Sequence, residues 1–490
     1  MLSLRSISKR SAGFLCAITL PFTAFSAEKL NRSAGPLFSH FALTLEVGQR
    51  TEAVGPLFYR QLREDDQTVA FPPLFSHVTD VAIDSEEYDF AYPLLTYDRF
   101  GSEYRWQLFQ LFSFAGGKNQ ADTNARRFTL FPIYFQQRSP DPALNYTALL
   151  PFYGHIKNRL FRDEIFFVMF PAYSQTRKRD VVTDNYLYPI FHRRRGENLS
   201  GWQFWPLVGA EHKGITTKTN GWGDAELIAG HESVFALWPI YLNATTGIGT
   251  ENPQKEFAVL PLYTSLRSTN RDSTTVIWPF FTRTDDRVKK YREWDVPWPL
   301  LVFARGEGKT TTRVFPLFSQ SHNAALESDY YLWPLYKYNR LHADSLDRDR
   351  TRILWFLYST VNEKNLETGA ARQRTDFWPF FTRRRDFNGN SRWQILAPLE
   401  PFLPNHKSIE RNYSPVWSVW RSEKNPKTGH ASQSLLWNLY RRETTPDARK
   451  CSLLFGLFQY QSTPDTKHWR LFYIPVSKPQ KNSDHVPEHR

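Results

Sequence analysis

Proline fits a β-sheet poorly, because it fixes φ and has no N–H to give to the ladder, yet this chain places it between apolar residues again and again. "VIWPFFTR", Val276 to Arg283, returns as "DFWPFFTR", Asp376 to Arg383. The same core appears as "GPLFYR" at Pro56, "YPLLTY" at Pro93, "FPIYF" at Pro132, "YPIFH" at Pro189, "WPLVG" at Pro206, "WPIYL" at Pro239, "WPLLV" at Pro299 and "WPLYK" at Pro334. Proline-free copies follow as "LWFLY" near Phe356, "LLWNLY" near Asn438 and "LLFGLF" near Gly456. A unit that recurs roughly every 20 residues along a chain is its architecture.

Between the cores the sequence is polar and rich in turn formers, for example "NGN" at Asn388 to Asn390, "GEG" at Gly306 to Gly308 and "SPDP" at Ser139 to Pro142. Such connectors supply the backbone conformations that tight hairpins need. The flanks carry Thr, Tyr, Phe, Val and Arg, without a helical stripe. The pattern predicts an all-β chain, an antiparallel meander of about 20-residue repeats, each giving about 12 to 14 residues of strand. Propeller-like, spiral and closed-barrel arrangements all satisfy it.

The proline itself has two readings: a bulge inside a continuous strand, or a bend between two half-strands. Because Ile277 to Phe281 are apolar on consecutive positions, both sheet faces are expected to be covered at that level, as an internal seam. The residues assigned to that seam are Trp205, Pro206, Trp238, Pro239, Trp278, Pro279, Trp333, Pro334, Trp378 and Pro379.

Residues 1–27 have the layout of a secretory signal peptide: Arg5, Lys9 and Arg10, an apolar run from Gly13 to Phe25, then Ser26 and Ala27. Removing it takes away Cys16 and leaves Cys451 as the one cysteine, so no internal disulfide is expected. The expected divisions are a β-repeat region over 28–400, C-terminal β units over 401–476 acting as cap or continuation, and a polar tail over 477–490. No stretch of the mature chain reaches the length of a transmembrane helix. A net charge of +13 points to an anionic neighbour. For an exported chain that means envelope lipid or glycan and not nucleic acid.

Motifs for chemistry are missing. "ARGEGKTT", Ala304 to Thr311, imitates the tail of a phosphate-binding loop, but Phe303 stands where its first glycine belongs. Neither a zinc-protease HExxH nor a GxSxG nucleophile elbow occurs, and the 13 histidines are scattered. No catalytic residue, cofactor or metal site is assigned.

With the repeat laid out, the chain resembles a group of exported Gram-negative bacterial proteins built on WPLF/WPLY-type units. The likeness is closest in "ERNYSPVWSVW", "LLWNLY", "SLLFGLFQY" and "WRLFYIPV" between Glu410 and Val476. It implies an envelope location, in the periplasm or at the outer membrane, and nothing sharper, so no functional residue is carried over from it. The function expected is a non-enzymatic scaffold or binding surface. An outer-membrane pore or transporter barrel is the first alternative, and a glycan-binding or carbohydrate-active propeller the second.

Overall fold

The computed structural model of the chain describes residues 32–34, 37–109, 111–118, 125–219 and 223–476. The expected signal peptide and polar tail, 1–27 and 477–490, lie outside the described residues. The meander is there as a single antiparallel sheet of 44 strands, each paired with the next along the chain. One small hairpin, Thr216–Thr219 with Ala225–Ile228, is inserted beside it.

Most strands are five to eight residues long, about half the expected length. The reason is the proline. Val276 ends one strand and Phe281 begins the next, so Ile277 to Phe280 form the connection. Each repeat is therefore a hairpin, with an apolar turn at one edge of the sheet and a polar turn at the other. Strands such as "RDSTTV" and "FTRTDD" are held by β-branched residues that pair across the ladder. Their hydroxyls bond side to side, Thr275 with Thr282 at 3.0 Å and Ser273 with Thr284 at 2.9 Å.

Apart from a bulge at Gly230 and His231, the register is constant along the sheet. A row of directly paired residues runs from Glu52 through Tyr59, Ala70, Ser76 and Asp89, past Thr275, Thr282 and Asp295, to Gln394, Arg421 and Arg441, without one step along a strand. Closing a barrel requires the register to stagger. This sheet does not stagger, and its first and last strands do not pair. It is an open ribbon with its strands lying across its width, which corrects both the closed barrel and the separate blades of a propeller.

The ribbon curls until its two ends overlap face to face. Thr44 Oγ1 donates to Ser432 Oγ at 2.6 Å, and Asn438 Nδ2 to Glu52 Oε2 at 2.6 Å. The inward face carries small or polar residues, with Ala70, Ser76, Thr275, Ser319 and Asp376 all buried. Among the described residues an apolar core gathers at Phe135, Tyr146, Ala148, Ile156 and Phe167. Gly154 lets it form: a Cβ there would lie 2.5 Å from Cζ of Phe167.

Between the strands Ser391–Ile395 and Trp420–Lys424, which pair directly, the chain inserts two short helices, α1 (Lys407–Asn412) and α2 (Ser414–Trp417). Helices this short carry no readable apolar period. The strands that follow continue the same sheet.

Candidate functional site

Trp205, Pro206, Trp238, Pro239, Trp278, Pro279, Trp333, Pro334, Trp378 and Pro379 all lie in the apolar turns. Their assignment to a covered seam is corrected: they stand along one rim of the sheet, where Pro206, Trp238, Pro239, Trp278 and Trp333 are exposed and the other five half-buried. In each turn the proline takes the third of four positions, where its missing N–H is not called upon. Phe280 N bonds Ile277 O at 2.9 Å across Trp278 and Pro279, and Leu207 N bonds Phe204 O at 2.8 Å across Trp205 and Pro206. Fifteen of the X–Pro bonds in these turns are cis.

Neighbouring turns then bond to one another. Trp278 N reaches Pro261 O at 2.7 Å, Trp238 N reaches Pro206 O at 2.6 Å, and Trp333 N reaches Pro316 O at 2.8 Å. Links of this kind join successive turns from Leu74 to Phe472. The rim therefore engages most of its backbone N–H groups internally, through neighbouring turns, while presenting apolar side chains outward. Leu187, Leu237, Ile277 and Leu332 are 59%, 56%, 50% and 55% exposed. Just inside them the outer face carries an apolar belt, for example Val168, Tyr173, Tyr186, Phe191, Phe204 and Val208 in direct register. Two residues further, Arg193, Arg283 and Arg383 stand exposed on that same face.

Leu187, Leu237, Ile277 and Leu332 also have φ between 47° and 51°. That left-handed region costs most L-residues roughly 1–2 kcal/mol and suits Gly or Asn. Large apolar residues are thus kept in a conformation that disfavours them and at positions where water surrounds them. Of the predicted tryptophans the structure brings Trp205 and Trp238 to one cavity and leaves Trp278, Trp333 and Trp378 outside it. It spaces them along the rim, with Trp205 and Trp238 ring centroids 6.2 Å apart and Trp378 Nε1 bonded to Pro398 O at 3.1 Å.

A second feature, not foreseen in the sequence, is a charged clasp where the ribbon ends overlap. Arg411 of α1 bonds Glu87 at 3.1 Å and Asp89 at 2.5 Å, and Asn412 Nδ2 donates to Asp89 at 2.8 Å. Glu410 accepts from Arg384 at 2.8 Å and from Arg392 at 3.0 Å, and Arg392 also bonds Glu423 at 2.8 Å. Burial pushes the Glu410 carboxyl up, but the bond from Arg384 and the charges of Arg392, Arg384 and Arg421 outweigh it and hold it at about 2. Glu423, buried among Arg421, Arg392 and Arg441, is likewise held far below the ordinary range.

Because these folded pKa values lie below the unfolded one, the stabilisation is complete above about pH 4.5 and is lost as pH falls toward 2. The thermal midpoint is expected to fall between pH 5 and pH 3, and Glu410→Gln to lose its share of that slope, on the order of 2 kcal/mol. Equal slopes for the variant and the parent chain would show that Glu410 does not contribute.

Among the described residues no group of three or more His, Cys, Asp and Glu side chains is placed to hold a metal ion. Cys451 is half-buried and free. No protein-family model matches the chain, and no curated protein does.

Proposed function

We propose that this chain is a non-catalytic protein of the cell envelope that attaches to a membrane surface through its proline-turn rim and serves there as a scaffold or binding surface. One observation carries the reading: a continuous edge that is apolar in side chains and whose backbone N–H groups are engaged by neighbouring turns. At about 4.8 Å per strand the rim runs on the order of 200 Å. Exposed apolar patches on soluble monomers rarely exceed a few hundred Å². In water such an apolar edge is a liability, whereas at a lipid surface the N–H groups already engaged by neighbouring turns need no water.

The depth fits a leaflet surface. Turn and belt together suit the outer few ångströms of a leaflet, and Arg193, Arg283 and Arg383 then stand about 7 Å further out, at the level of anionic headgroups. Strand length supports attachment over spanning, since a membrane strand takes about 9 to 11 residues and tilts, and most of these are shorter and run without stagger.

The protein is expected to float with vesicles and to stay bound in high salt, because the contact is apolar, with its tryptophans quenched by lipids brominated near the headgroup. Release by salt alone, or quenching only by lipids brominated at the chain ends, would overturn the reading.

A further inference from the structure

Between the strands Tyr134–Arg138 and Tyr241–Ile248 the inward face of the ribbon wraps a cavity of about 1550 Å³. It is larger than the roughly 300–1,000 Å³ of ordinary small-molecule pockets. Its lining changes along the strand direction. At the apolar rim it is bounded by the residues that precede the prolines, among them Phe170, Tyr188, Trp205 and Trp238. These rings pair along the rim, Phe170 with Tyr188 at 5.9 Å. Tyr188 and Trp238 are about half exposed, so the cavity meets the surface there. Deeper lie Phe135, Ile156, Phe167 and Phe235.

Toward the polar rim the lining becomes basic. Lys178, Lys213 and Arg162 line it and form no ion pair among the described residues. Arg194 does not count toward a free charge, since both its bonds, at 2.8 and 2.7 Å, go to Glu211. Glu211 is further engaged by His231 at 2.6 Å, and Asp180 accepts from the backbone N–H of Glu197 at 3.2 Å. Of the lining carboxylates Glu211 and Asp180 have partners on the protein and Glu197 has no ion pair among the described residues, whereas four cations, Lys178, Lys213, Arg162 and Arg179, have none, so the lining keeps an excess of positive charge.

We propose that this cavity holds one membrane phospholipid with an anionic phosphodiester headgroup, its acyl chains against the aromatic end and its phosphate near Lys178, Lys213 and Arg162. The inference rests on the rim facing a leaflet. In that orientation a lipid enters head-first and leaves its chains trailing toward the membrane, so the gradient of the cavity and that of the leaflet run the same way. Charge complementarity selects the headgroup, and the volume selects a diacyl lipid over a small solute.

The test uses two probes on the whole protein. Protein incubated with phosphatidylglycerol vesicles, or with phosphatidylcholine vesicles, is re-isolated and its lipid extracted and weighed by mass spectrometry. Dihexanoylphosphatidylglycerol, which is soluble and needs no vesicle surface, is titrated separately. About one phosphatidylglycerol per chain is expected, with phosphatidylcholine at least tenfold less. K178E together with K213E is expected to cut both phosphatidylglycerol signals at least tenfold while flotation persists, because neither lysine is paired in the fold. T183W, which fills the cavity wall, is expected to abolish retention of the long-chain lipid. Equal retention of the two lipids, or flotation without any retained lipid, overturns the cavity proposal alone. Loss of flotation with the soluble lipid still bound overturns the rim reading alone.

Discussion

Replacing Leu187, Leu237, Ile277 and Leu332 together by Asn is expected to lower partitioning onto vesicles at least tenfold while leaving the melting midpoint unchanged or raised. The two effects separate because of where these residues sit. Each is half-exposed in the folded chain, so it contributes little to the core, and burying its remaining surface in lipid is worth about 1 kcal/mol at roughly 25 cal/mol per Å². Each also has φ near 50°, a region that Asn tolerates and that costs Leu or Ile roughly 1–2 kcal/mol. An apolar-to-polar change that does not weaken the fold, and that removes a surface interaction, is the signature of residues retained for contact. Sedimentation or flotation gives the first quantity and thermal denaturation the second. A falling midpoint with unchanged partitioning would assign the four side chains to folding and leave the rim without its proposed role.

The same residues explain what the sequence could and could not disclose. The repeat, the antiparallel order and the polar connectors were readable because each is a local pattern: "RDSTTV" and "FTRTDD" look like strands and "NGN" looks like a turn. The place of proline was not readable in the same way. Five consecutive apolar residues such as Ile277 to Phe281 suggest a strand covered on both faces, and no Gly or Asn marks the left-handed position at Ile277. One signal was available. Polar turns occur once per proline core and not twice, so each core must itself reverse the chain, which halves the strand length. The curl was not legible at all, since it depends on pairs such as Asp89 with Arg411, which are 322 residues apart. Nor were α1 and α2, whose few residues show their role only through what they touch on the opposite end of the ribbon.

Removing the charge of Arg411 is expected to be the most damaging single change, because it leaves a carboxylate buried without its counter-ion. Asp89 is almost wholly enclosed and receives bonds from Arg411, from Asn412 and from Ser76 at 3.3 Å. Breaking a buried pair from one side typically costs about 3–5 kcal/mol, whereas removing both charges costs much less. Arg411→Met should therefore destabilise the chain by that amount, and Asp89→Asn combined with it should recover a large part. The loss should also be local. The strands Gly48–Ala53 and Phe58–Arg63 face the clasp, Tyr59 through its hydroxyl on the Arg411 carbonyl at 2.9 Å. Their amides should exchange with solvent faster, while strands such as Arg271–Val276, far from the overlap in sequence and held only by neighbours in the ladder, should keep their protection. A double variant no more stable than Arg411→Met would mean that the packing of α1, not the charge pair, closes the ribbon. Uniform loss of protection would mean that the clasp and the ladder fold as a single unit.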